Sequence, residues 1–452
     1  MQSIDVSRSL FGSTRISLIS AALLVGAMLF AVNGRAQQTG NPQQPGSLPE
    51  SSGMAAQAGT PTSLHELVQE VEQKNPRIAA SYHGWQASRN VAKQVSAFPE
   101  TQLSVQQFSV GSPRPFAGYS NSEFAYFGMG ASQDILYPGK RELRGRMAEH
   151  EAESVGAQVD SVRKDVVGNL KMVYFRLAYI QQTVGILQKS NELLNQVEQA
   201  AEARYRVGQG NQQDVLKAQL QHTKILQEIA HHHQEEGLLE AQLKQLLNRP
   251  QESPDIVAET LTVRALPYSA AELLQKAREQ NPDVRSKAAS IRQQETQVEL
   301  ANKNFRPDFN VQYNYQHTAS QFRDYYMATF GIRLPNRGRQ RSELAEAQEN
   351  QERARRELDA ESQRVLSEVQ QHYVRAKTSE ERLKIYSDGL VPQSEATFRS
   401  SLSAYQSNRQ DFESLLSSFL DVLNLDLEYR SQLVEHESAL AELERLAGVT
   451  LP

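Results

Sequence analysis

Four histidines lie close together, His222 and the run His231-His232-His233. Neutral imidazole is the commonest side-chain ligand of protein-bound metals, so these residues are the first candidates for chemistry. Successive residues on a helix point about 100° apart, so at most two of the consecutive rings can share an ion. His222 stands nine residues before the run, over two turns away, and Glu235 and Glu236 do not complete a ligand set. A solvated helix face accounts for the run; a metal site is the alternative, and no metal is assigned. The chain has no cysteine, which excludes thiolate sites and disulfides. No nucleophile elbow, zinc-protease pair or phosphate-cradling loop occurs. The carboxylates along the helical stretches mostly neighbour Lys or Arg at helical spacing, as surface pairs do. No catalytic residue, cofactor or enzyme activity is expected.

The elements that carry these residues are more informative than the residues. Apolar side chains recur at Val155, Val159, Val162, Val166, Leu170, Val173, Leu177, Ile180, Val184 and Leu187, steps of three and four that make a coiled-coil seam. No proline interrupts the chain between Gly139 and Asn248. The spacing predicts two very long helices folded back at Arg204–Val215. Net charge is −5 with mixed signs, so no nucleic-acid partner is indicated. Only 39% of residues are hydrophobic and mean hydropathy is −0.57, values that suit long helices wetted on one side.

Residues 1–36 read as a secretory signal: Arg8 and Arg15, an apolar run, then Gly34-Arg35-Ala36 as a small-residue cleavage site. Residues 37–62, rich in Gln, Gly, Pro and Ser, read as a disordered linker. A first structural repeat covers 63–248, as a helix from Ser63 to about Ala97, a β-hairpin over 100–134 and the long helical hairpin over 139–248. Glu66 is the capping-box partner of Ser63. A connector covers 249–268. A second repeat then covers 269–447, with a β-hairpin over 307–334 and a long helical hairpin over 338–447, in which Pro392 is placed to bend a helix. Residues 448–452 form a tail. Ser269, Asn281-Pro282, Phe305 and Gly338 restate Ser63, Asn75-Pro76, Phe98 and Gly139, so the fold is a duplication.

In the third extended run, Phe309, Val311, Tyr313 and Tyr315 alternate with Asn310, Gln312, Asn314 and Gln316. In the fourth, Tyr326, Phe330 and Ile332 share one side. Alternation alone fits a small soluble β-layer between helical arms as well as membrane strands facing lipid on one side and a lumen on the other. Four strands cannot close a barrel, and open edges are not tolerated in lipid, so membrane strands would have to be pooled between subunits.

The doubled turn is the most specific motif. Tyr205-Arg206-Val207-Gly208-Gln209-Gly210, followed by Asp214-Val215-Leu216, is mirrored by Tyr405-Gln406-Ser407-Asn408. With the duplication, it resembles the TolC family of outer-membrane efflux proteins over nearly the whole chain from Ser63 to Ala447. The resemblance implies a mainly α fold with a small β part: a homotrimer with a twelve-stranded outer-membrane β-barrel continued by a periplasmic α-helical barrel. It implies a passive exit duct, with a periplasmic adaptor and an inner-membrane pump of RND, ABC or MFS type as partners and outer-membrane lipid around it. It assigns both turns to adaptor docking, and Arg409, Asp411, Glu413 and Ser414 to the periplasmic aperture. Phe309, Val311, Tyr313, Tyr315, Tyr326, Phe330 and Ile332 would face lipid. Asn408 stands where the family has glycine, and Ser414 where the first repeat has Asp214, so an aspartate ring at the aperture is not expected here. The alternative reading of function is a periplasmic adaptor or coiled-coil stalk without a barrel. The cargo is not legible.

Overall fold

A computed structural model of the chain describes residues 61–120, 122–319 and 323–450. The expected signal, 1–36, and the linker up to residue 60 lie outside the described residues, as do residues 451 and 452 of the tail.

The duplication is present element by element. The first half contains α1 (Leu64–Lys74), α2 (Pro76–Ser96), β1 (Gln102–Phe108), β2 (Tyr126–Ile135), α3 (Lys140–Arg206) and α4 (Gln212–Leu246). The second contains α5 (Ala270–Gln280), α6 (Pro282–Lys303), β3 (Asp308–Thr318), β4 (Asp324–Arg333), α7 (Arg337–Ile385), α8 (Val391–Gln406) and α9 (Phe412–Ala447). At 67 residues α3 is about 100 Å long.

Two expectations need correction. The helix from Ser63 to Ala97 is two helices, broken at Asn75-Pro76. Proline forces its predecessor out of helical geometry but suits a first helical position. Asn75 therefore ends α1 and caps α2, its side chain accepting from the Arg77 N–H at 2.9 Å. Its amide also donates to the Leu246 carbonyl at the end of α4, at 2.7 Å. Asn281 repeats this arrangement, donating to the Leu446 carbonyl at 3.0 Å. The linker also does not run free to residue 62: Thr62 donates its N–H to Val257 O at 2.8 Å. At Ser63 the side chain accepts from the Glu66 N–H at 3.4 Å, while the full reciprocal box forms at Ser269 and Glu272.

Pro392 acts just before its own position. Lacking an N–H, it cannot satisfy the Asp388 carbonyl, and the chain widens into a π turn at Tyr386–Leu390, with Val391 N–H reaching back to Tyr386 O. Tyr386 braces the turn by donating to Glu428 at 2.7 Å.

The helices form a layer. Beside the sheet, α3 lies between α2 and α6, and α6 lies against α7. Gly145 and Gly156 admit α2: a Cβ on Gly156 would sit 2.9 Å from Trp85 Nε1. Toward the far end α3 lies between α4 and α9. The predicted seam is the core: Val166, Leu170, Leu177, Ile180 and Leu187 are buried. The connector and α1 are fastened onto α3, where Tyr174 donates to Thr62 O and accepts from Glu259 N, both at 2.9 Å. Arg264 of the connector holds Glu437 of α9 at 2.6 Å, a carboxylate only 2% exposed.

Candidate functional site

The four strands form one antiparallel sheet in the order β1-β2-β3-β4. Register settles which side chains share a face, because the side-chain period of a strand is two. Phe309 pairs with Ile332, Val311 with Phe330, and Tyr315 with Tyr326. Across the other side of β3, Phe309 meets Ile135 and Tyr315 meets Met129. Met129 in turn pairs with Val105, and Ala131 with Leu103. All seven side chains expected on one side therefore lie on one mainly apolar face, extended by residues of β1 and β2 and interrupted by Gln133 opposite Val311.

This face is the open one. Phe330 is 77% exposed, Tyr326 66%, Ile332 64% and Tyr313 50%. The amide face is crowded at its centre: Asn314 is buried, and at Gly130 an added Cβ would lie 2.7 Å from Ser104 Oγ. A water-soluble sheet buries its apolar side, so this arrangement is inverted. Among the described residues, no helix is long and apolar enough to cross a membrane.

At the opposite end, both turns are built alike. Gly208 N–H bonds Tyr205 O at 3.0 Å and Gln209 N–H bonds Arg204 O at 2.9 Å; Asn408 N–H bonds Tyr405 O at 3.0 Å and Arg409 N–H bonds Ala404 O at 2.9 Å. This pair of bonds is the Schellman ending of a helix, which needs a left-handed residue. Gly208 supplies it at φ +73° and Asn408 at φ +59°. Asparagine is the side chain that best tolerates that conformation, so the Gly-to-Asn difference leaves the turn unchanged. Gly210 has a different role: its φ is not left-handed, and an added Cβ would meet Arg204 Cβ at 3.2 Å.

The tip residues divide by exposure. Tyr205 is 48% exposed and Val207 68%, with Arg206, Gln209, Gln406 and Ser407 also at the surface. Tyr405, expected in the docking tip with its counterpart, is buried. Its ring packs 5.8 Å from Phe412, and burial raises its hydroxyl pKa. The aperture residues are largely engaged within the chain. Asp411 caps α9, accepting from Ser414 N at 2.7 Å, and that bond holds its carboxyl below the ordinary range. Glu413 pairs with Lys217 of α4. Arg409 is exposed.

Sequence reasoning missed Arg204 and Lys217, which tie the first turn to the second. Arg204 stood beside Tyr205 as an ordinary helix-end cation, and nothing local marks its partner 201 residues away. The histidines do not converge: His233 lies 3.2 Å from Glu236 and His232 3.6 Å from Glu235. No group of three metal-capable side chains occurs among the described residues.

Solved structures share this fold. The outer membrane protein VceC from Vibrio cholerae superposes with a TM-score of 0.72 at 18% identity, covering 85% of this chain and 96% of that one. The CmeC outer membrane channel of Campylobacter jejuni gives 0.72 at 13% identity over 91% and 94%. The open state of the MtrE outer membrane channel of Neisseria gonorrhoeae gives 0.71 at 16% identity over 85% and 88%. No curated protein sequence matches the chain. The outer membrane efflux protein family model matches residues 67–249 and 273–444, one stretch in each half of the duplication. Channels of that family work with an adaptor and an inner-membrane pump in tripartite efflux. The chain therefore belongs to the outer membrane efflux protein family and is an outer-membrane efflux channel.

Proposed function

We propose that three copies of this chain form the exit duct of a tripartite efflux system. The observation that carries this reading is the inverted sheet: its apolar face is open, its amide face is crowded at its centre, and among the described residues its edge strands β1 and β4 each lack one neighbour. Edges exposed in lipid leave backbone groups unsatisfied, so the strands close between copies, β4 of one against β1 of the next. Twelve strands lie within the size range of membrane barrels. The helical layer has matching edges at α2 and α7 and closes in the same way into a tunnel through the periplasm. The duct is passive and performs no reaction on its cargo.

The adaptor docks on the exposed tip residues Tyr205, Arg206, Val207, Gly208, Gln209, Gln406, Ser407 and Asn408 and on the half-buried Gly210, with Tyr405 holding them from behind. Arg409, Asp411, Glu413 and Ser414 narrow the aperture. The pump is of RND, ABC or MFS type. Purified protein should be a trimer that needs detergent and conducts ions in planar bilayers. A water-soluble monomer without conductance would sink the proposal. For docking, Gly208→Trp should abolish export while the trimer persists; unchanged export would remove the tips from the adaptor interface.

A further inference from the structure

Two helices start directly beneath the sheet, and both start with arginines. α3 opens as Lys140-Arg-Glu-Leu-Arg-Gly-Arg146 and α7 as Arg337-Gly-Arg-Gln-Arg341; Arg306 stands just before β3. Some of these cations are used locally. Lys140 is buried against Asp308 at 2.9 Å, Arg146 pairs with Glu299 at 3.0 Å and Arg339 with Glu343 at 2.8 Å. Arg144, Arg306, Arg337 and Arg341 are exposed and make no ion pair among the described residues. Arg337, in the first turn of α7, opposes the helix dipole there and so does not stabilise the helix.

Their level in the fold gives them a use. Leu334, 78% exposed, precedes Arg337 by three residues, and Phe309 follows Arg306 by three. Arg306 and Arg337 therefore rim the apolar face on its helix side, and Arg144 and Arg341 follow about one turn into α3 and α7. Phe98, 75% exposed, stands on the same rim with the Arg141 guanidinium 3.7 Å from its ring centroid, an aromatic–cation pair suited to a lipid–water boundary. Resting on the membrane-barrel reading, we propose that this rim binds the headgroups of anionic phospholipids in the leaflet on the helix side. Guanidinium forks match phosphate oxygens in pairs, and four unpaired cations per chain favour a headgroup with net negative charge over a zwitterionic one.

The test is native mass spectrometry of the detergent-purified full-length oligomer, offered equal amounts of phosphatidylglycerol and phosphatidylcholine with the same acyl chains. Wild type should retain phosphatidylglycerol by about tenfold over phosphatidylcholine, a preference that weakens as salt rises. The variant R144Q/R306Q/R337Q/R341Q should lose it, and the corresponding four-lysine variant should keep most of it. Equal retention of both lipids by wild type overturns this inference alone, as does an unchanged preference in the glutamine variant. Retention of no lipid by a water-soluble protein overturns the barrel reading as well. If the fourfold variant does not assemble, R337Q/R341Q together with the wild-type salt series decides the matter.

Discussion

The guanidinium of Arg204 sits over the ring of Tyr405, 4.3 Å from its centroid, and donates to the Tyr405 carbonyl at 2.9 Å. It also donates to Gln209 O at 3.0 Å and to Asn408 Oδ1. One side chain from the first hairpin thus fastens its own turn and the turn of the second. A partly desolvated cation–π contact contributes about 0.5–2 kcal/mol, and a hydrogen bond to a charged group about 1.5–3 kcal/mol.

Arg204→Ala should therefore loosen the second turn more than the first. Hydrogen exchange at residues 405–412 should accelerate by at least about tenfold, since loss of about 1.4 kcal/mol or more is expected there. Arg204→Lys should recover little, because lysine cannot serve a carbonyl, an amide and a ring face together. Tyr405→Phe is the contrasting variant. The buried Tyr405 hydroxyl has no hydrogen-bond partner in the described structure, so its removal should change the melting temperature little or raise it. Tyr405→Ala should cost about 3–5 kcal/mol, as other large-to-small aromatic truncations do. A melting point for Tyr405→Phe as low as that of Tyr405→Ala would show that the hydroxyl, not the ring, holds the tip.

The sheet supplies a prediction that depends on register alone. Val311 and Gln312 are adjacent but face opposite sides. Val311→Lys or Tyr313→Lys should impair outer-membrane assembly by about 2–4 kcal/mol if the position lies at the bilayer midplane. Gln312→Lys, on the amide face, should assemble like wild type. Recovery of folded oligomer from membranes is the readout, and equal recovery of Val311→Lys and Gln312→Lys would remove lipid from the apolar face.

Much of this architecture is written locally. The three-four seam of α3, the alternation in β3 and the repeat of Ser63 and Asn75-Pro76 at Ser269 and Asn281-Pro282 were sufficient for the duplication and its element order. Where reading stopped, the missing information was non-local. Tyr205 and Tyr405 occupy the same place in the motif, yet one is open and the other buried, because only the second is covered by Arg204 and Phe412. Asp411 and Glu413 are expected at the aperture from the motif alone, but the helix terminus that Asp411 caps and the Lys217 beside Glu413 are set by the fold. The break at Asn75-Pro76 is local, because proline forces its predecessor out of helical geometry.

That asparagine pair leads to a stability prediction. Asn281 both caps α6 and occupies the Leu446 carbonyl near the end of α9. Asn281→Ala removes a cap contributing about 0.5–2 kcal/mol and leaves a buried carbonyl unpaired, costing about 1–3 kcal/mol. Asn281→Ser keeps a capping oxygen and loses the amide donor without burying a charge, so its melting temperature should fall between those of wild type and alanine. Equal melting temperatures for Ser and Ala would mean that the cap contributes nothing.

The last prediction concerns pH at the junction of α4 and the connector. Burial, reinforced by a hydrogen bond shared with Asp255, raises the Glu240 carboxyl to about 7. Lys244, itself buried, holds Asp255 at 3.0 Å and Gln251 O at 3.2 Å, so the connector's first turn is anchored at the same place. The ordinary carboxyl value is 4.5, so between that value and about 7 the folded protein binds a proton that the unfolded chain has lost. Stability from this group is thus fully present below pH 4.5 and declines as pH rises through about 7. Hydrogen exchange at residues 249–256 should accelerate between pH 5 and pH 8 beyond its intrinsic base catalysis. Glu240→Gln keeps a neutral side chain at every pH and should abolish that excess. If the excess survives in Glu240→Gln, another group sets the pH response of this junction.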